Sequence, residues 1–147
     1  MQKNTEQTAG VDLSPCNCLA LRQAARHVSQ FYDRHLAEAG LRTTQYSILS
    51  KLARLGALPI NKLAATMVME RTALSRAIGP LERDGLIKVG PGPDGRTRSV
   101  MLTSTGQARL KAAAVHWRRA QKEFEIAVGT TSAADMRTEL QRVISVT

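Results

Sequence analysis

GPGPDGRTRSVML, residues 90–102, satisfies the pattern G-x-G-x-x-G letter for letter through Gly90, Gly92 and Gly95. A dinucleotide-binding loop of that pattern needs a helix opening at its third glycine and free backbone N–H groups aimed at a pyrophosphate. Pro91 and Pro93 delete two of those donors, and the residues after Gly95, Arg-Thr-Arg-Ser-Val-Met-Leu, are strand formers without helical spacing. The fingerprint is therefore accidental. Proline and glycine supply restricted and positive φ, Asp94-Gly95 is a strong turn dipeptide, and the stretch reads as the tip of a hairpin that exposes Arg96 and Arg98. Its two strands are expected over residues 86–89 and 98–103.

Working outward, a helix beginning near Glu70 carries Leu74, Ile78 and Leu81 at i, i+4 and i+7. Thr72, Ser75 and Arg76, at i, i+3 and i+4, emerge together on its polar side. Pro80 predicts a kink near residue 79, because proline removes a helical hydrogen bond. A cationic hairpin beside a polar-faced helix makes a winged helix-turn-helix. The helix suits a major groove about 12 Å wide, and an arginine on the wing suits the narrower, more negative minor groove. Thr72, Ser75 and Arg76 are the candidates for base edges or phosphate, with Arg71 suited to phosphate.

Two helices precede this pair. One covers residues 44–55, capped by Thr43, with Ile48, Leu49, Leu52 and Leu55 inward and Gly56 as its stop. A short one follows Pro59, with Asn61 as cap and Leu63, Ala64 and Met67 inward. Ser14-Pro15 and Gly40 bracket a long first helix over 15–39, with Leu21, Ala25, Val28, Tyr32 and Leu36 in one stripe. After the hairpin, Thr103 starts the longest helix, to Val128, with Leu110, Ala114, Trp117, Gln121 and Phe124 on one side. Ser132 and Asp135 fit a capping box opening a last helix, with Met136, Leu140, Val143 and Ile144 inside.

The class is thus mainly α with a small β-hairpin, a winged helix-turn-helix with N- and C-terminal dimerisation helices. Residues 1–14 read as a flexible tail, 15–40 and 104–147 as dimerisation helices, and 41–103 as the DNA-binding module. The first and last two helices carry more apolar face than one small wing domain covers.

Composition agrees. The 147 residues are 43% hydrophobic, 22% charged and 3% aromatic, which suits one helical domain. The net charge is +9, and residues 41–103, with ten bases against four acids, hold six of those nine charges. A polyanion is the partner this concentration of charge favours. The polar start MQKNTEQTAGVDLS has no apolar core of a leader, and no apolar run approaches the ~18 residues of a membrane span. A cytoplasmic protein without membrane contact is expected. No G-x-S-x-G, H-E-x-x-H or Walker motif occurs, so an enzyme is not expected. His27, His35 and His116 lack metal-ligand spacing, and neither a metal nor a cofactor is called for.

In these segments, TTQYSILSKL, INKLAATMVMERTALSRAIGPLERDGLIKV and PDGRTRSVMLTSTG, the chain resembles the MarR family of transcription factors over about residues 16–145. Asp94 and Arg96 match the family's wing element, in which the Arg contacts DNA and the Asp fixes its position. Gly95 stands where many members carry a second Arg, a charge that Arg98 partly supplies. The resemblance implies a homodimer presenting two winged modules to pseudo-palindromic double-stranded DNA, most often as a repressor, with half-sites about 10 bp apart. It also implies a small anionic or aromatic effector held between dimer helices and module. Tyr32, Tyr46, Trp117 and Phe124 are candidate cavity residues, and Arg22, Arg26 and His27 candidate counter-charges.

Cys16 and Cys18 raise an oxidant switch. Two residues apart on a helix they diverge, so an internal disulfide needs unwinding, and a bond between subunits or a sulfenic acid fits better. Buried, inert thiols are the plainer reading. A non-specific architectural DNA binder is the alternative function, since it shares the basic charge.

Overall fold

The computed structural model of the protein describes residues 10, 12 and 14–146. The proposed tail, residues 1–14, lies mostly outside the described residues. Among the described residues, six α-helices and three short strands follow in the order α1 (Asn17–Leu36), α2 (Thr43–Leu55), β1 (Leu58–Pro59), α3 (Ile60–Thr66), α4 (Arg71–Arg83), β2 (Ile87–Pro91), β3 (Arg98–Leu102), α5 (Ser104–Val128) and α6 (Thr130–Ile144), with one 3-10 turn over Ala37–Ala39.

The first helix is capped by Cys16, not by Ser14. Cys16 is extended and its Sγ accepts the Leu19 N–H at 3.4 Å, whereas Ser14 spends its own N–H and hydroxyl on Asp12 Oδ1. The second helix starts one residue before expectation, because Thr43 is inside it. Its N–H and its hydroxyl both donate to Asp33 Oδ1 at 2.7 Å, so a carboxylate from α1 satisfies a donor that the helix start leaves open. Asn61 likewise lies within α3, which begins directly after Pro59.

The sheet has a strand that the hairpin reading omitted. Leu58 and Pro59 pair antiparallel with Val100 and Ser99, giving the order β1-β3-β2. Two residues are too few to show alternation, which is why β1 leaves no sequence signal. Between β2 and β3 the register runs from Ile87 opposite Leu102 to Pro91 opposite Arg98.

One hydrophobic core joins the pieces. Leu36, Leu41, Ile48, Leu49, Leu52, Leu63, Leu74, Ile78, Leu81, Leu86, Ile87 and Val100 are all buried in it. Each such side chain contributes about 1.5–3 kcal/mol relative to exposure. The expected inward set of α4 is thereby correct. Pro80 does not end that helix, which runs on to Arg83, although the Arg76 carbonyl loses its usual donor.

The junction into α5 is closely packed. Thr103 Oγ accepts the Gly106 N–H at 3.0 Å and donates to the Gly85 carbonyl at 2.6 Å, while the Thr103 N–H donates to the Leu86 carbonyl. Gly106 is buried there, and a Cβ on it would collide with the Leu86 carbonyl oxygen and with Leu102.

The last helix departs most from expectation. Gly129, at φ +96, both ends α5 and starts α6, so Ser132 and Asp135 fall inside the helix and no capping box forms. Met136, Leu140, Val143 and Ile144 are not inside either; all four are exposed in the single chain, where Ala133 alone of α6 is buried. Leu19 and Leu21 of α1 are exposed as well.

Candidate nucleic-acid interface

The helix-turn-helix is the pair α3 and α4, joined by Met67-Val68-Met69. Glu70 is extended and precedes the first turn of α4. Burial of Leu74, Ile78 and Leu81 against the core fixes the rotation of α4 and turns Arg71, Thr72, Ser75 and Arg76 outward, where all four are exposed.

The wing is built by its own hydrogen bonds. The Gly92 N–H donates to the Thr97 carbonyl at 2.6 Å and the Gly95 N–H to the Gly92 carbonyl at 2.9 Å, with Gly95 at φ +69. Asp94 Oδ1 accepts the N–H groups of Arg96 and Thr97 at 3.0 and 2.9 Å, and Oδ2 accepts the Thr97 hydroxyl at 2.7 Å. These bonds, from Thr97 first and Arg96 after, lower the Asp94 carboxyl to about 2. The loop is a turn stabilised by an acid, with no cradle of free N–H groups.

Helix and wing share one face. Arg98 and Ser75 line a single hollow of about 220 Å³, together with Ile60 and Val89. A second hollow of about 390 Å³ is walled by Arg71, Arg96, Thr97, Arg98, Ile60 and Asn61. Arg98 belongs to both, so Ser75 and Arg71 of α4 adjoin the cationic hairpin, with Glu82 also on the wall of the first hollow. Among the described residues, Arg71, Arg76, Arg96 and Arg98 enter none of the ion pairs, which leaves their charge directed at solvent. Asn61 is a wall residue that sequence reasoning assigned to a cap; only its position beside Arg71 and Arg96 reveals it.

The proposed effector residues divide. Tyr32, Trp117 and Phe124 line one apolar cleft of about 540 Å³ between α1, α5 and α6, with Leu21, Val28, Met136 and Leu140. The Tyr32 hydroxyl donates to Gln121 Oε1 at 2.6 Å. Tyr46 stacks on Trp117 with ring centres 6.0 Å apart and lies outside the lining, as do Arg22, Arg26 and His27, which are exposed on α1. The cation at the cleft is Arg137 of α6, bonded to Glu125; with the last helix read only for its apolar face, nothing in the sequence singled it out. Cys16 and Cys18 are both exposed in the single chain, so its own core does not bury the thiols. Cys16 is where it is as a helix cap.

Among the described residues, no helix is long and apolar enough to cross a membrane, and no group of three or more His, Cys, Asp or Glu is placed to hold a metal.

Comparison with known proteins follows the same outline. A family model described as MarR family matches residues 41–96. The transcriptional activatory protein BadR of Rhodopseudomonas palustris is 30% identical over 109 residues, which is 70% of this chain and 62% of that protein, so the match spans less than two thirds of the relative. The crystal structure of the Mycobacterium tuberculosis transcriptional regulator MosR is 33% identical, superposes with a TM-score of 0.77, and is matched over 92% of this chain and 100% of that one. A crystal structure of MosR in complex with DNA is 34% identical, with a TM-score of 0.75 over 90% of this chain and 100% of that one.

Proposed function

The chain belongs to the MarR family, and from that membership we propose that it is a sequence-specific DNA-binding regulator of transcription that works as a homodimer. The observation that carries the proposal is the continuity of α4 with the wing through Ser75, Arg98, Arg71 and Arg96. In this reading α4 enters the major groove, where Arg76 and Ser75 meet base edges and Arg71 a phosphate. Arg96, held out by the Asp94 turn, enters the adjacent minor groove. The exposed apolar residues of α1 and α6 support a second copy as the other half of the molecule. Twofold symmetry then matches a pseudo-palindromic operator.

The regulator acts as a repressor in this proposal, released by a small aromatic or anionic molecule in the apolar cleft or by oxidation of Cys16 and Cys18. Arg137, on exchanging its 3.5 Å ion pair with Glu125 for the ligand, supplies the countercharge for an acid. Either signal works by favouring a spacing of the two wings that no longer fits the operator.

The test is to sequence genomic fragments retained by the purified protein, then compete the recovered site against unrelated duplex. A preference of ~10³-fold or more is expected of a specific regulator. Equal competition by any duplex would replace this reading with a non-specific architectural binder.

A further inference from the structure

Seven of the described residues have positive φ, and six of them are glycine. The seventh is Val68, at φ +53, in the turn between α3 and α4. The hydrogen bonds make the reason for that conformation plain. The Val68 N–H donates to the Ala65 carbonyl at 3.1 Å and the Met69 N–H to the Ala64 carbonyl at 2.9 Å, the paired bonds that close a helix through a left-handed residue. Glycine is the usual occupant of that position, and a β-branched side chain there is strained.

Packing does not repay the strain. Met67 and Met69, on either side, lie half-buried against the core, whereas Val68 is 69% exposed. Its isopropyl group stands on the surface two residues before the cap of α4, in the turn that leads the chain into Arg71 and Thr72. A strained residue that adds nothing to the core points to a role outside it.

We propose that Val68 makes an apolar contact with duplex DNA and so sets part of the operator preference; the inference rests on the DNA-binding reading above. The side chain offers only methyl groups. What a duplex offers in return is the C5-methyl of thymine in the major groove, or the carbons of a deoxyribose on the groove wall. Arg71, Thr72, Ser75 and Arg76 supply the polar contacts, and Val68 adds a contact that none of them can make.

The experiment uses the full chain and duplexes that it enriches from a randomised pool. Each enriched duplex is remade with single thymines replaced by deoxyuridine, which removes the methyl and keeps the pairing. Val68→Gly and Val68→Asn both tolerate left-handed backbone, so both should melt higher than the wild type. Both should also bind the enriched duplex more weakly, by roughly fivefold, the worth of one or two methyl groups kept from water. Loss of wild-type affinity at one deoxyuridine position per half-site, absent in both variants, assigns the contact to thymine. Weakening of the variants that is the same with either base assigns it to the sugar. Unchanged affinity of both variants for the enriched duplex overturns the inference. A pool that does not enrich at all overturns the DNA-binding reading with it, and so is told apart from the failure of Val68 alone.

Discussion

The Asp94 carboxylate accepts the backbone N–H of Arg96 at 3.0 Å, so the acid orients the wing arginine through the main chain and leaves the guanidinium outside every ion pair among the described residues. Charge and order therefore make opposite demands at this tip. Removing the negative Asp94 from the surface proposed to face DNA should tighten binding by Coulomb's law alone, while loosening the turn should weaken it. Asp94→Ala is expected to weaken binding severalfold, because a disordered tip must be ordered anew on each encounter. Arg96→Ala should also weaken it and lower the slope of log affinity against log salt by about one. Titrations at four salt concentrations separate the two variants. Tighter binding by Asp94→Ala would show that the acid does not organise the wing.

The same carboxylate sets a pH range. A carboxyl depressed from 3.8 to about 2 in the fold contributes order that is fully present above the unfolded value and is lost as pH falls through the folded one. The amide signals of Arg96 and Thr97 should accordingly stay constant from pH 8 to pH 5 and move only in strong acid. A shift centred on neutral pH would mean that another group holds the loop.

Arg76 and Arg71 should behave differently although both are exposed cations on α4. Arg76→Ala is expected to relax base preference at one operator position, by about 1–3 kcal/mol, with a smaller effect on random DNA. Arg71→Ala should weaken every duplex alike. Parallel binding measurements on the recovered operator and on single-base variants of it decide between these roles, and identical profiles for the two variants would remove the distinction.

Gly106→Ala should destabilise the fold by about 3 kcal/mol, at the upper end of what overpacking costs, since the new methyl meets a carbonyl oxygen that is itself fixed by the Thr103 N–H. Thermal unfolding measures it. A variant that melts within a degree or two of the wild type would mean that α5 can back away from Leu86 freely.

Legibility followed the range of the cause. Helices with a buried stripe, such as α4 with Leu74, Ile78 and Leu81, are periodic over several turns and were readable from sequence; so was the hairpin, whose turn chemistry is local at Asp94-Gly95. The polar face of α4 followed from the same periodicity. What lies hidden depends on partners distant in the chain. Thr43 reads as a cap until Asp33, ten residues back, is found holding it. Strand β1 exists only because Val100 is beside it. Met136 and Leu140 have the spacing of a core face, and spacing alone does not tell whether the covering surface belongs to the same chain. Val68 gave no signal, because a lone left-handed residue is set by the geometry of the turn and valine is not the residue that advertises it.

The two short bonds from Thr43 to Asp33 have a mechanical consequence. Helices α1 and α2 are geared together at that point, since the acid that finishes the first turn of α2 is mounted on α1. Any swivel of α2 against α1 must first break both bonds, so a displacement of α1 at Asp33 should carry the start of α2 with it.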